Sequence, residues 1–243
     1  DDVALARGRP GKFDVNFSSV LPSVGANLRI LPNWHAYVNY SENSNPPAYN
    51  QFYTGTYNAN LQPQRAKTYS VGTNWEIGPW SSQLQAFRVD FSNYILSTTI
   101  LLGSFNQTVL ANAGKAINQG ISWQNNVVLN DIFSAYANVG ILDARLSSAG
   151  QPFPYAPHHT EAVGFIARYH GFRGTISFHE MGNSYYSLGG KFLPLGSRFY
   201  SNMSLRYTFH NAPLSDTLGF KKVTAALNLN NLFDRSSHLL KAE

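Results

Sequence analysis

Tyrosines recur in the segments between the regular stretches of this sequence, and they are well suited to hold a small ligand. A tyrosine ring stacks on planar groups, and its hydroxyl donates or accepts a hydrogen bond. Tyrosine also favours the membrane interface, where it packs at headgroup level, and the sequence leaves both alternatives open. The candidate ligand-binding residues are Tyr49, Tyr53, Tyr57, Tyr155, Tyr185 and Tyr186.

A histidine pair could bind a metal ion. His158 and His159 precede Glu161, and imidazole together with carboxylate suits zinc or copper. Because adjacent residues of a strand point to opposite faces, we predict ordinary polar residues where a long connection leads into a strand. No metal site and no cofactor are expected. The sequence also lacks a Ser-His-Asp spacing, paired carboxylates or a Gly-x-Ser-x-Gly pattern, so we do not expect an enzyme.

Four arginines occupy alternating positions that predict a water-filled interior. Arg88, Arg168, Arg198 and Arg206 are expected to face a lumen, where their field would attract anionic chelates. Salt links, for example with Asp90, are the competing role for each of them.

A two-residue alternation of apolar and polar side chains positions these residues. It is clearest in 198–209 and 222–230 and recurs about ten times, without a convincing helix. Side chains of a strand alternate between its faces, so each strand has one apolar and one polar face. A soluble sandwich turns the polar face to bulk water, whereas a membrane barrel turns the apolar face to lipid.

The connections between these strands alternate in length, which favours the barrel. Short turns on one side and long loops on the other are typical of an up-and-down outer-membrane barrel, whereas a Greek-key sandwich mixes the lengths. Short turns are predicted at 31–33, 78–81, 130–131 and 171–172, and long connections at 42–65, 97–118, 147–160 and 182–196.

Composition agrees with a barrel and excludes other classes. Of the 243 residues, 14% are aromatic and only 13% are charged, about half the usual globular share. The 18 basic residues, which give a net charge of +5, are scattered, so no nucleic-acid partner is expected. There is no cysteine. No apolar stretch reaches the 18 residues that a membrane-spanning helix needs.

Several segments follow a recognisable order along the chain: 20–42 with Pro46-Pro47 after it, 60–76, 87–95, 112–124 and 228–234. In this order they resemble TonB-dependent outer-membrane receptors of the siderophore type. Gln64 and Ser70 depart from the pattern, since the family usually has Glu at both positions.

The resemblance implies a fold and a function. Such receptors have 22 strands around an N-terminal plug, with a short segment that engages TonB. We therefore expect residues 1–243 to form the C-terminal portion of an all-β, antiparallel, up-and-down transmembrane barrel, with about ten strands and the plug absent. Salt links with Asp90 or with the plug are therefore the favoured role of any one of the lumenal arginines, ahead of the attraction of a chelate.

The implied role is uptake of a scarce ligand across the bacterial outer membrane. The expected partners are a ferric siderophore, of the carboxylate type by resemblance, or a similar small chelate, together with outer-membrane lipid and the TonB complex. Two alternatives remain open: an autonomous ten-stranded outer-membrane barrel, such as a barrel protease, and a soluble all-β binding module.

Overall fold

A computed structural model describes most of the chain. The described residues are 15–48, 51, 60–102, 105–112, 114–146, 150–188, 191–210 and 222–233. Within this part of the chain, no helix is long and apolar enough to cross a membrane.

The described residues form fifteen strands. Most strands are 8–14 residues long, and those of nine or more are long enough to cross a bilayer when tilted. The strands are β1 Ser23–Leu31, β2 Trp34–Asn45, β3 Gln64–Ile77, β4 Trp80–Ser92, β5 Ile95–Leu102, β6 Phe105–Asn112, β7 Ala116–Val128, β8 Phe133–Leu146, β9 Gln151–Pro152, β10 His159–Tyr169, β11 Phe172–Met181, β12 Ser184–Leu188, β13 Lys191–Leu195, β14 Arg198–His210 and β15 Lys222–Asn230.

Ten strands pair in chain order into one antiparallel meander. The order is β1-β2-β3-β4-β7-β8-β10-β11-β14-β15, and β9 adds a short pairing to β8. The sheet is open, with β1 and β15 as its edges. The prediction of about ten up-and-down strands is confirmed.

The connections give the sheet two unlike ends. Those at 32–33, 78–79, 129–132 and 170–171 are tight, and we call this the turn-side end; the opposite end is the loop-side end. The long connections predicted at 97–118 and 182–196 are present between β4 and β7 and between β11 and β14. They contain the hairpins β5–β6 and β12–β13, which were not predicted. These short strands lack the clean alternation by which the others were found. The connection between β14 and β15, at 211–221, lies outside the described residues.

Cross-strand register joins the apolar positions of all ten strands into one continuous surface. Val38 faces Val71, Leu84 faces Trp123, and Ile176 faces Met203 in the register, and directly opposed residues share a face. We call this side of the sheet the outer face and the other the inner face.

The outer face is apolar and exposed, which is the reverse of a soluble domain. Val71 is 55% exposed and Phe165 51% exposed, whereas inner-face polar residues such as Ser70 and Gln85 are half-buried. An exposed apolar surface of this extent marks a contact with lipid or protein, and the alternation is that of a membrane barrel.

Aromatic side chains concentrate at the turn-side end of the outer face. All four tryptophans of the chain lie there, and the rings of Trp75 and Trp80 meet edge to face at 5.8 Å. The Trp34 indole donates to Thr73 Oγ1 (2.6 Å) and the Trp123 indole donates to Ser82 Oγ (2.8 Å). These polar groups are therefore satisfied within the protein, as lipid exposure requires.

At the loop-side end of β4, the two faces exchange character. Arg88 faces Tyr69 in the register and Asp90 faces Lys67, so both lie on the outer face. Phe87, Val89 and Phe91 consequently lie on the inner face. The prediction that Arg88 faces the lumen is wrong, because alternation within one strand separates two faces without saying which is outside.

Polar side chains also replace apolar ones on the outer face of the neighbouring strands at this end. The change marks the loop-side boundary of the apolar part of the outer face. Beyond the Tyr40–Tyr69 ring contact at 5.2 Å, the outer face carries a network of polar side chains. Its ion pairs are Glu42–Lys67, Arg88–Asp90 and Asp143–Arg145, and Gln119 bridges Arg88 and Asp143. We infer that the loop-side extension of the sheet stands in water.

A small apolar core lies at the loop-side end. Leu61 is 1% exposed and Ile95 8% exposed, and Phe17 and Leu110 pack against them. Asn112 connects the surrounding segments: its Nδ2 donates to the carbonyls of Gln62 (3.0 Å) and Asn93 (2.7 Å). These contacts hold the ends of the long connections together at the loop-side end of the sheet.

Candidate ligand-binding site at the loop-side end

Two of the predicted ligand-binding tyrosines come from different connections and meet at the loop-side end. The Tyr155 N–H donates to the Tyr185 carbonyl at 2.6 Å, and the His158 ring meets the Tyr185 ring edge to face at 6.1 Å. The Tyr155 side chain is 69% exposed and its φ is +61°, an uncommon backbone conformation for a tyrosine. The exposed ring is therefore placed to reach a ligand from solution.

A second aromatic group lies beside it, which sequence reasoning missed. The Tyr94 ring meets the Phe153 ring at 5.2 Å and the Phe91 ring at 5.8 Å, both edge to face. Burial raises the pKa of the Tyr94 phenol, so it is a neutral hydrogen-bond donor at ordinary pH. The available signal was the Phe91-x-x-Tyr94 spacing at the end of an alternating stretch.

The other predicted tyrosines are less informative. Tyr49, Tyr53 and Tyr57 lie outside the described residues. Tyr186 is half-buried and faces Leu193 across the β12–β13 hairpin. The structure thus groups Tyr155 and Tyr185, while ligand binding by any of the six stays a prediction.

The histidine pair stands where the sequence places it, at the start of β10. The His158 ring contacts Tyr185, and the His159 ring occupies the space that a β-carbon at Gly182 would need. Within the described residues, no group of three or more His, Cys, Asp or Glu side chains is close enough to hold a metal ion.

Below the loops, the inner face carries a shallow depression of about 320 Å³. The His179 ring stacks on Tyr200 at 4.9 Å, nearly parallel, and His179 Nε2 lies 3.1 Å from Ser177 Oγ. The polar side chains that line it from the inner face are all neutral types or histidine. Its inner-face lining residues include Ser122, Gln124, Asn138, Thr160, His179 and Tyr200.

Three of the four predicted lumenal arginines lie on the inner face. Arg168 and Arg206 are the direct cross-strand partners of Arg173, and Arg198 is the cross-strand partner of Met181. The fourth, Arg88, contacts Asp90 through Nε at 2.9 Å on the outer face. The expected Arg88–Asp90 salt link therefore exists, but not in the lumen.

The sheet, its reversed exposure and its unlike ends define a fragment of an outer-membrane type of β-barrel. A family model described as "TonB dependent receptor-like, beta-barrel" matches residues 1–232. The chain therefore belongs to the TonB-dependent receptor β-barrel family. β-barrels of this family are outer-membrane proteins of bacteria.

Solved structures of this kind share the fold at low sequence identity. They include the copper transporter OprC (TM-score 0.70, 14% identity, 90% of this chain and 36% of that one). The ferric yersiniabactin uptake receptor FyuA from Yersinia pestis is similar (TM-score 0.67, 18% identity, 88% and 32%). So is the siderophore receptor PirA from Acinetobacter baumannii (TM-score 0.69, 15% identity, 88% and 37%). This chain spans about a third of the length of these proteins.

Proposed function

We propose that this chain forms part of a receptor that captures a ferric siderophore outside the cell for TonB-dependent uptake. The observation that carries the proposal is the exchange of face character at the loop-side end of β4. It supports an orientation of the sheet in a membrane in which Arg88 and Asp90 lie in water at the loop-side end, while the Phe91 ring contacts Tyr94. The transport-receptor family supports it, and enzymatic activity is not part of the proposal.

The loop-side aromatic site supports capture of a chelate in particular. Exposed Tyr155 and half-buried Tyr185 belong to two different connections that share a backbone hydrogen bond, and Tyr94 adds a neutral phenol nearby. Aromatic faces and hydroxyl groups together bind a chelate with both planar and polar parts. We predict that the bound chelate contacts Tyr155 first and Tyr185 behind it.

A titration of the chain in detergent with defined probes tests this proposal. Ferric citrate, a ferric tris-catecholate and a copper chelate are titrated calorimetrically. We expect Tyr185→Ala to weaken binding of the preferred ferric probe about tenfold, the loss of one aromatic contact together with its buried area. Tyr169→Ala is the matched control, because Tyr169 lies on the outer face at the turn-side end.

Three outcomes would contradict the proposal. Binding of the copper chelate alone would assign a copper cargo, and equal losses in the two tyrosine variants would remove the loop-side site. A monodisperse chain that stays soluble without detergent would replace the barrel by a soluble binding module. For uptake itself, growth of iron-limited cells on the preferred chelate must depend on the full-length protein that carries this chain.

A further inference from the structure

A shallow hollow of about 410 Å³ lies on the outer face of β3 and β4, beside the loop-side boundary of its apolar part. Ala86 is the smallest of the outer-face residues that line it. Because Ala86 is directly opposite Val71 on one side and Ile121 on the other, its short side chain leaves space among larger apolar ones. We call this space the boundary hollow. Its outer-face lining residues are Val38, Tyr40, Tyr69, Val71, Ala86 and Arg88.

Three cationic side chains lie next to the boundary hollow on its loop side. Arg88 lines the hollow, and Lys67 lies diagonally across from it on β3, since Lys67 is directly opposite Asp90. Diagonal neighbours on adjacent strands are about 7–8 Å apart, a span that one phosphate group can bridge with a hydrogen bond to each side. Arg65 continues the same face of β3 two residues away from Lys67. We call Arg65, Lys67 and Arg88 the boundary cations.

Ion pairing within the sheet leaves further donors on the boundary cations. Lys67 Nζ lies 3.6 Å from Glu42 Oε1. Arg88 donates through Nε to Asp90 at 2.9 Å and through Nη1 to Gln119 at 3.4 Å. An ammonium has three N–H donors and a guanidinium has five. The Lys67 and Arg88 side chains are 51% and 48% exposed, so their remaining donors can reach an anion outside the sheet.

The depth of Arg88 in a bilayer follows from its distance to the turn-side tryptophans. Arg88 is eight residues from Trp80 along β4, which is about 27 Å of strand. A tilt of about 40° reduces this length to about 20 Å along the bilayer normal, close to the apolar band of about 25 Å in outer-membrane barrels. Trp80 and Arg88 therefore stand near opposite interfaces. The boundary cations lie at the level of lipid headgroups, and the boundary hollow lies at the level of the adjoining acyl chains.

The position of these residues within the sheet keeps their surface open in a longer barrel. β3 is paired with β2 and β4, and β4 is paired with β3 and β7. Additional strands would extend the sheet at β1 or β15, and a plug would lie against the inner face. The outer face of β3 and β4 therefore meets whatever surrounds the barrel.

Charge on the loop-side part of the outer face differs between strands. On β10 and β11, Glu161 is directly opposite Glu180, on the face that also carries Phe165. Two opposed carboxylates repel an anion, whereas the boundary cations attract one. An anionic headgroup is therefore favoured over β3 and β4 and disfavoured over β10 and β11.

We propose that the boundary hollow and the boundary cations bind one lipid of the outer leaflet whose headgroup is an anionic phosphate. Lys67 and Arg88 hold the phosphate through charge-assisted hydrogen bonds, and Arg65 extends the contact. An acyl chain of the same lipid fills the space beside Ala86. This site is separate from ligand capture at the loops and goes beyond the proposed function.

Lipid binding by the full-length protein that carries this chain tests the inference. The protein in a neutral detergent is mixed with dioleoyl phosphatidic acid or dioleoyl phosphatidylcholine, and bound lipids are counted by native mass spectrometry. We expect one phosphatidic acid to bind about tenfold more tightly than phosphatidylcholine, the value of one charge-assisted contact. Arg88→Gln should remove about that factor, and Arg65→Gln/Lys67→Gln/Arg88→Gln about a hundredfold or more. Higher salt should weaken wild-type binding, because exposed charges are screened.

The substitution Ala86→Phe tests the boundary hollow without a change of charge. It fills the space for the acyl chain and should weaken phosphatidic acid binding about tenfold, the value of about two buried methylene groups. Ala225→Phe is the matched control, because Ala225 is an exposed alanine on the outer face of β15, opposite Tyr207. Equal losses in the two phenylalanine variants would overturn the assignment of the hollow.

The substitution Asp90→Asn separates lipid binding from the stability of the sheet. It removes the carboxylate that competes for Arg88, so phosphatidic acid should bind more tightly, by up to about fivefold, the upper value of an exposed ion pair. Arg88→Gln and Asp90→Asn break the same ion pair, so opposite effects on lipid binding exclude a common folding defect. Weaker binding in both variants would overturn the inference.

The triple variant Arg168→Gln/Arg173→Gln/Arg206→Gln is the charge-matched control, since these arginines lie on the inner face at the turn-side end. Equal losses in the two triple variants would show a net-charge effect and overturn the inference. Glycerol phosphate that binds as tightly as phosphatidic acid would overturn it in favour of a soluble anion. A dimer that dissociates when the boundary cations are replaced would overturn it in favour of a second copy of the protein.

Discussion

Arg173 is expected to lower the stability of the folded chain, since an arginine faces it on each side. The change Arg173→Gln removes two directly opposed like-charge pairs, Arg168–Arg173 and Arg173–Arg206. Each such pair costs about 0.2–1 kcal/mol on a sheet surface. The variant should therefore be more stable by about 0.4–2 kcal/mol, twice that cost for one pair.

Salt concentration decides where in that range the effect falls. All three arginines are exposed, so counterions screen them: the Debye length is about 8 Å at 0.15 M salt and about 30 Å at 0.01 M. The gain from Arg173→Gln should lie near the upper value at low salt and shrink toward zero near 1 M salt.

Urea unfolding in detergent micelles measures this gain. Tryptophan fluorescence reports on the sheet, because all four tryptophans lie on its outer face. Arg173→Gln should raise the transition midpoint without changing the slope, the signature of a pure stability change.

Arg88→Gln is the control, because its expected effect on stability has the opposite sign. The Arg88 guanidinium pairs with Asp90 at 2.9 Å and also donates to Gln119, and both ionic side chains are well exposed. Loss of an exposed pair costs about 0–1 kcal/mol, so its midpoint should stay level or fall. A midpoint that falls in Arg173→Gln at low salt, or rises equally in both variants, would refute the reasoning.

Three further variants probe the sheet and the loop-side site. A methyl group at Gly120 would overlap the Ile141 backbone carbonyl, so Gly120→Ala should lower the unfolding free energy by about 1–3 kcal/mol. At Gly140 a methyl group would approach the Thr160 hydroxyl at 2.9 Å. Gly140→Ala should therefore cost less stability in the same urea titration. Leu84 lies midway between Trp80 and Arg88 on the outer face, and Leu84→Arg should cost about 2–4 kcal/mol in lipid vesicles, with little effect from Gln85→Arg on the inner face. Burial raises the pKa of the Tyr94 phenol in the folded chain. The contribution of this phenol to stability is complete below its unfolded-state pKa near 10 and disappears as the pH rises through its folded-state pKa. Tyr94→Phe should abolish the corresponding step in an alkaline unfolding titration.

Much of the sheet follows from its sequence, because alternation is a local property of each strand. The ten strands and the continuity of the apolar face were predictable on that basis. The orientation of a single strand was not, as β4 demonstrates. Its loop-side half presents Phe87 and Val89 as the apolar residues, yet the register places them on the inner face. Only pairing with a neighbouring strand of known orientation settles which face of an alternating strand meets lipid.

The candidate site was predictable in part, because proximity of loops is not local. Tyrosine-rich connections indicated where a ligand would meet the protein, but not that Tyr155 and Tyr185 share a hydrogen bond. Tyr94 and Phe153 were missed because they lie far apart in the sequence and come into contact only when two connections meet. Whether the chain is the C-terminal portion of its barrel stays a prediction.

Positive side chains are paired on the outer face of the sheet and unpaired on part of the inner face. The difference follows from the surroundings of each face. On the outer face, Lys67, Arg88 and Arg145 each have a carboxylate partner from the same chain. Those partners neutralise the cations next to an apolar band, where an isolated charge is unfavourable. On the inner face, Arg168, Arg173 and Arg206 have no such partner among the described residues. Exposed ion pairs contribute only about 0–1 kcal/mol, so water tolerates these arginines without a partner from the same sheet, and the resemblance implies that a plug would pair with them in a whole receptor.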